Sequence, residues 1–126
     1  MVSGHFATAI TCIDGRAQAP VRDWMRLHLS VEYVNMITEP GPPRILTHGP
    51  AEIVKAIQDK VRFLIEAHAA RTVAVVGHHD CRANPVSREE HLEQIRTGVG
   101  VVQSWGLGIE VIGLWVNEHG YVDEVT

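Results

Sequence analysis

Two short stretches hold both cysteines of this 126-residue chain, and each cysteine has polar neighbours that could take part in chemistry. The first stretch, TCIDGR, places Cys12 two residues before Asp14 and four before Arg16. The second stretch, VGHHDCRANP, places His78 three residues before Cys81. Two thiolates and one imidazole are a sufficient protein ligand set for zinc, with the fourth position left for water or a carboxylate.

The spacing of these residues favours a metal site with an exchangeable position. His78 and Cys81 can reach one ion from a single turn, whereas Cys12 has to come from another strand. Closed structural zinc sites usually combine two paired elements, and this chain has one pair and one isolated cysteine. Asp14 could accept a proton from bound water or occupy the fourth position itself, and Arg16 could orient the Asp14 carboxylate through paired hydrogen bonds.

Apolar runs along the chain predict the strands that would position these residues. Residues 6–13, 31–37, 71–77 and 109–116 form β-branched runs typical of strands, and residues 121–125 predict a short fifth strand. The segment EPGPP, residues 39–43, is predicted to be a stiff loop within the domain.

Helical periodicity lies between the predicted strands. Pro50 suits a first helical turn, and the apolar residues after it recur at helical spacing as far as Ile65. A capping box of Ser87 and Glu90 predicts the start of a helix that extends to Val102. We expect a shorter helix over residues 20–29.

The alternation of strands and helices predicts an α/β fold with a mostly parallel sheet of four or five strands, flanked by helices, in one domain over residues 1–126. In such sheets ligands bind beyond the carboxyl ends of the strands, where the strand order reverses. Cys12 ends the first predicted strand, while His78 and Cys81 follow the third. The two motifs therefore meet in one crevice if these two strands are neighbours.

The composition is that of an ordinary soluble domain, with 45% hydrophobic and 21% charged residues and a net charge of -4. Its basic residues form no runs, which argues against nucleic acid or a membrane surface as a partner. No apolar stretch approaches the ~20 residues that cross a bilayer, and the first residues lack a secretory signal. We therefore expect a cytoplasmic protein, in which separated cysteines indicate metal binding or catalysis more than a disulfide.

CIDGR followed by GHHDC resembles the Cys-x-Asp-x-Arg and His-x-x-Cys motifs of the β-class carbonic anhydrases, and the similarity of pattern extends over nearly the whole chain. The resemblance implies Zn²⁺ bound by Cys12, His78 and Cys81, and reversible hydration of carbon dioxide to bicarbonate. It implies that Asp14 and Arg16 are the catalytic dyad, with Arg16 holding Asp14 off the metal. In some members of the family this aspartate is a fourth ligand, so Asp14 is also a candidate ligand. We expect a homodimer or a higher homo-oligomer.

Several alternatives stay open from the sequence. Relatives of this fold use the same site on carbon disulfide or carbonyl sulfide, so a related zinc hydrolase is one alternative. A non-catalytic zinc-binding relative and a thiol redox protein are two others. Arg82 replaces the glycine common after the second cysteine of the family, and it is either an anion ligand or a solvated side chain. The remaining histidines show no ligand spacing, and we expect most of them at the surface: His5, His28, His48, His68, His91 and His119.

Overall fold

The computed structural model describes residues 4–126, and this part of the chain contains five strands and four helices. The strands are β1 (Phe6–Cys12), β2 (Tyr33–Glu39), β3 (Thr72–His78), β4 (Glu110–Val116) and β5 (Val122–Val125). The helices are α1 (Gly15–Leu29), α2 (Pro42–His48), α3 (Ala51–His68) and α4 (Arg88–Ser104). The predicted α/β fold class is confirmed.

The strand order in the sheet is β2-β1-β3-β4-β5, with β5 antiparallel to β4 and the other neighbours parallel. β2 lies on one side of β1 in the sheet, and β3 lies on the other side of β1. β1 and β3 are therefore neighbours at the point where the strand order reverses, which is the condition under which the two motifs meet in one crevice.

The pairing of β1 with β3 is short and leaves their carboxyl ends apart. β1 pairs with β2 as far as Cys12 opposite Glu39, and β3 pairs with β4 as far as His78 opposite Val116. The pairing of β1 with β3 covers only residues 8–10 and 73–75. The last two residues of β1 and the last three of β3 thus flank a gap at the reversal point.

Helices cover both faces of the sheet, which explains the long buried runs in β1 and β3. On one face the buried residues of α1 pack against those of three strands, β1, β3 and β4: Val21 and Met25 with Ala7, Ala9, Ala74, Val76, Ile112, Leu114 and Val116. On the other face α2, α3 and α4 enclose a second cluster: Leu46, Ile57, Val61 and Val102 with Ile10, Ile37, Val73 and Val75. No helix within residues 4–126 is long and apolar enough to cross a membrane.

α1 begins five residues earlier than predicted because Asp14 caps it. The Asp14 carboxylate accepts a hydrogen bond from the backbone N–H of Arg16 at 2.9 Å, which is the usual capping interaction. Pro20 lies inside α1 and does not start it. Because proline has no backbone N–H, α1 lacks one backbone hydrogen bond at this position.

The prediction of a stiff loop over residues 39–43 is wrong in its second half, because α2 begins at Pro42. Pro42 and Pro43 occupy the first turn of α2, a position where the fixed φ of proline suits a helix and no N–H is needed. Gly41 precedes them with a φ of 64°, in the left-handed region that favours glycine. The two prolines that indicated a loop therefore start a helix.

A cluster of buried polar side chains joins the segment after β3 to α4. The Asn84 amide donates to the Gln94 carbonyl oxygen at 2.7 Å, and the ring of His91 lies 5.2 Å from that of Trp115. The expectation of a surface position is wrong for His91, which is 3% exposed. Its burial, with a smaller contribution from nearby His78, lowers the pKa of His91 below its ordinary value.

The packing of α4 on the sheet predicts that Gly113→Ala destabilises the fold. A Cβ at Gly113 would lie 2.7 Å from a side-chain carbon of Ile95, which is fully buried and cannot move into solvent. We expect a loss of about 1–3 kcal/mol in the free energy of unfolding, measured by urea denaturation. Gly100→Ala is the matched control, because its Cβ would meet nothing within 4 Å and should stabilise α4 by about 0.5–1 kcal/mol. Equal stability of the two variants would contradict this packing.

The burial of His91 predicts a dependence of stability on pH. Below the ordinary histidine pKa of 6.5 the unfolded chain takes up a proton that buried His91 resists, so the folded state loses stability as pH falls. The loss attributable to one histidine is at most about 1.4 kcal/mol per pH unit. Urea unfolding between pH 5 and pH 8 should show that the free energy of unfolding changes less with pH in His91→Gln than in wild type. His119→Gln is the control for removing an exposed imidazole, and identical slopes for wild type and His91→Gln would contradict the prediction.

Candidate metal centre

The three predicted metal ligands come together at the gap between β1 and β3. Cys12 is the last residue of β1, His78 is the last residue of β3, and Cys81 lies in the turn that follows. All three residues are buried, and their ligand atoms lie within 4.8 Å of one another. In the described part of the chain, no other group of three or more His, Cys, Asp or Glu residues is arranged to hold a metal.

The separation of the two sulfur atoms fits zinc. The Sγ atoms of Cys12 and Cys81 lie 3.9 Å apart, and both thiols are free. Two sulfurs at a Zn–S distance of about 2.3 Å and a tetrahedral angle would be about 3.8 Å apart. The cysteines are thus already spaced as two ligands of one tetrahedral ion, and are too far apart for a disulfide bond.

The Nε2 atom of the His78 ring is available to bind a metal ion. Nδ1 lies 2.8 Å from the carbonyl oxygen of His79, which fixes Nδ1 as the protonated donor and leaves the lone pair on Nε2. Nε2 is buried and has no hydrogen-bond partner among residues 4–126. A buried polar atom without a partner is unfavourable, and a metal ion would satisfy it.

The thiol of Cys81 is protonated in the absence of a cation. Burial and the adjacent Cys12 thiol raise the pKa of Cys81, while the backbone N–H groups of Ala83 and Asn84 lower it by a smaller amount. A positive charge beside the Cys81 sulfur would therefore favour its ionisation in this buried space. A divalent cation that favours sulfur and imidazole would supply that charge.

Asp14 and Arg16 form a two-point ion pair beside the three ligands. Arg16 donates from Nη2 to Oδ2 at 2.6 Å and from Nε to Oδ1 at 3.1 Å. These side-chain bonds, followed by the backbone N–H of Arg16, hold the pKa of Asp14 far below its usual range. Asp14 is therefore a carboxylate at any physiological pH.

The origin of this arrangement differs from the prediction. The first strand was predicted over residues 6–13, but β1 ends at Cys12 and Asp14 caps α1. The group of atoms within 4.8 Å does not include Asp14, whose carboxylate is held by Arg16. The role of Asp14 as a fourth ligand stays a prediction.

The turn between His78 and Cys81 contributes an acid that sequence reasoning missed. Asp80 lies in this turn near the surface, and its carbonyl oxygen and its carboxylate both accept hydrogen bonds from Arg16. The only signal in the sequence was an acidic residue directly before the second cysteine. Arg82 has a side chain 88% exposed, and its Nε lies 3.5 Å from the Asp80 carboxylate.

Two clefts open beside the three ligands. One has a volume of about 290 Å³ and is lined by Arg16, His78 and Asn117. The other has a volume of about 460 Å³ and is lined by Cys81, Trp115 and Asn117. Both are large enough for a small molecule and several waters.

The sequence matches the family described as "Putative carbonic anhydrase" over residues 2–126. No curated protein matches the chain. Its structure is similar to β-carbonic anhydrase isoform I of Trichomonas vaginalis, with a TM-score of 0.62 and 17% identity over 96% of this chain and 81% of that one. A carbonic anhydrase of Glaciozyma antarctica gives a TM-score of 0.63 and 16% identity over 95% and 81%.

A third similar structure is one of the tetrameric β-carbonic anhydrases of Sordaria macrospora, with a TM-score of 0.54 and 14% identity over 94% of this chain and 79% of that one. At these identities the structural likeness establishes the fold alone, while the match over residues 2–126 establishes the family. The chain belongs to the carbonic anhydrase family that its sequence matches, and it has the fold of the β-class enzymes.

Proposed function

We propose that residues 1–126 form one zinc-dependent carbonic anhydrase domain, a lyase that reversibly hydrates carbon dioxide to bicarbonate. The observation that carries the proposal is the buried group of Cys12, His78 and Cys81, in which one ring nitrogen has no partner among the described residues. Membership of the family and the β-class fold support it.

In this proposal Cys12, His78 and Cys81 would hold Zn²⁺, which would supply Lewis acidity that lowers the pKa of a water molecule toward neutral pH. The carbonyl of His79 fixes the His78 ring, and the N–H groups of Ala83 and Asn84 stabilise the Cys81 thiolate. Two thiolates would cancel the charge of the cation and make it a weaker Lewis acid. Charged groups beside the site would then have to contribute more to catalysis.

Asp14 and Arg16 provide those groups. The Asp14 carboxylate accepts hydrogen bonds, and with its depressed pKa it stays ionised, so it can orient a water molecule but is a weak base. Arg16 occupies three of the four lone-pair directions of this carboxylate, two with its guanidinium and one with its backbone N–H, and leaves one on Oδ2. The Arg16 guanidinium also lines the smaller cleft beside His78, where it can stabilise a developing bicarbonate anion.

We further propose a cytoplasmic homodimer or higher homo-oligomer. α1 is the helix that packs on one face of the five-stranded sheet, whereas three helices pack on the other. A second copy would cover the remainder of the first face. One of the similar structures is described as tetrameric, which supports self-association.

Replacement of any metal ligand should abolish stoichiometric zinc binding. Cys12→Ser, Cys81→Ser and His78→Ala each leave two of three ligands, and loss of one ligand weakens a three-ligand site severely. Elemental analysis of protein expressed with zinc measures the stoichiometry, and His119→Ala is the control for an exposed histidine. Wild type with little zinc and a Cys12–Cys81 disulfide would contradict the proposal and favour a thiol redox protein.

Asp14→Asn and Arg16→Lys should lower kcat/KM for carbon dioxide by roughly 10²–10⁴-fold while zinc content is unchanged. Asparagine is as good a helix cap as aspartate, so Asp14→Asn removes the charge and keeps the start of α1. Stopped-flow hydration assays measure the rates, and Asp59→Asn, in an exposed ion pair with Lys55, is the matched control.

The same assays separate the alternatives. Full activity of Asp14→Asn would remove Asp14 from the mechanism. Zinc-loaded wild type that fails to hydrate carbon dioxide but hydrolyses carbonyl sulfide or carbon disulfide would favour the related zinc hydrolase. Zinc binding without activity on any of the three would favour the non-catalytic relative.

A further inference from the structure

Asp80 has an unusual backbone conformation that turns it toward Arg16. Its φ is 56°, in the left-handed region that aspartate tolerates better than most residues other than glycine. It lies between His79 and Cys81, on the side of the gap opposite Asp14. This conformation brings its carbonyl and its carboxylate to the same guanidinium.

Arg16 is held at two edges of its guanidinium plane. Nε and Nη2 donate to Asp14, while Nη1 donates to Asp80 Oδ2 at 3.4 Å and Nη2 to the Asp80 carbonyl at 3.2 Å. A guanidinium presents its N–H groups in one rigid plane, so contacts at both edges fix its orientation. Asp14 belongs to the β1 side of the gap and Asp80 to the β3 side, so Arg16 spans the gap.

We propose that Asp80 is a positioning residue, which holds Arg16 against Asp14 and thereby keeps the Asp14 carboxylate turned away from the metal ligands. The Arg16 side chain is 60% exposed, and without Asp80 its bonds to Asp14 are the only ones, among the described residues, that restrain it against rotation into solvent. Asp14 would then lose its partner in a fraction of the molecules. The consequence for catalysis rests on the proposed function, whereas the consequence for Arg16 does not.

Asp80 also separates two cations. Its Oδ1 lies 3.5 Å from Arg82 Nε, while its Oδ2 faces Arg16. Asp14, Arg16, Asp80 and Arg82 thus alternate in sign along one line of contacts. Removal of the Asp80 charge would leave Arg16 and Arg82 without the anion between them, which further favours departure of Arg16.

The first test measures Arg16 directly and needs no turnover. NMR of the protein as purified gives the rate at which the Arg16 Nε–H exchanges with water, in wild type and in Asp80→Asn. An exposed ion pair shifts an equilibrium by about two- to fivefold, so exchange should be faster by that factor. Asp80→Gly keeps the left-handed turn without a carboxylate and should give the same increase.

The Nε–H of Arg22, which pairs with Asp23, is the internal control and should exchange at an unchanged rate. Unchanged exchange at Arg16 in both Asp80 variants would overturn the proposal. An equal increase in the exchange rates of the Arg16 Nε–H and of the backbone N–H groups of Ala83 and Asn84 would also overturn the proposal. Such a result would indicate that the whole turn has become more mobile.

The second test uses the zinc-loaded protein at fixed pH. Asp80→Asn and Asp80→Gly should lower kcat for carbon dioxide hydration by about two- to fivefold with KM and zinc content retained. In an Arg16→Ala background they should have no further effect, because Asp80 acts through Arg16. An equal loss in both backgrounds would overturn the proposal. Inactive wild type would contradict the proposed function, and the exchange rates would still decide the role of Asp80.

Discussion

The short pairing between β1 and β3 is the constraint on which the candidate site depends. Each of these strands keeps its outer partner to its carboxyl end, but the two separate from each other after Ile10 and Val75. The separation creates a buried gap within the sheet, and Cys12 and His78 lie at its two sides. A continuous ladder would have filled this space with backbone hydrogen bonds. The candidate metal ligands instead occupy it, in a place where a cation could replace the missing contacts.

Asp14 takes part in two interactions that both hold it away from the three ligands. Its Oδ1 caps α1 and also accepts from Arg16 Nε, while Oδ2 accepts from Nη2. Movement of the carboxylate onto a metal would forfeit the cap, which is worth about 1 kcal/mol in general, together with the ion pair. In this structure the Asp14 carboxylate is therefore held by Arg16 and by the start of α1.

Much of the fold could be predicted because its strands are apolar runs and α3 and α4 have clear starts. The general rule for parallel sheets placed Cys12 beside His78 on the condition that their strands are neighbours, and the strand order meets this condition. The start of α1 was missed because Asp14 was considered only for chemistry, although aspartate is also a common cap. α2 was missed because Pro42 and Pro43 are typical of loops as well as of first helical turns. The burial of His91 and the contact of Asp80 with Arg16 depend on tertiary structure, which spacing along the chain does not contain.

The helix that sequence reasoning missed helps to hold the Cys81 ligand. Arg44 of α2 donates to the carbonyl of Ala83 at 3.3 Å. A Cβ at Gly41 would lie 3.2 Å from the Cβ of Asn84, so these two residues are closely packed. Asn84 in turn donates its backbone N–H to the carbonyl of Cys81 at 3.1 Å. Its side chain is anchored to α4 through Gln94. The segment that carries Cys81 is thus restrained by α2 and α4, which would reduce the conformational entropy lost if a metal ion binds there.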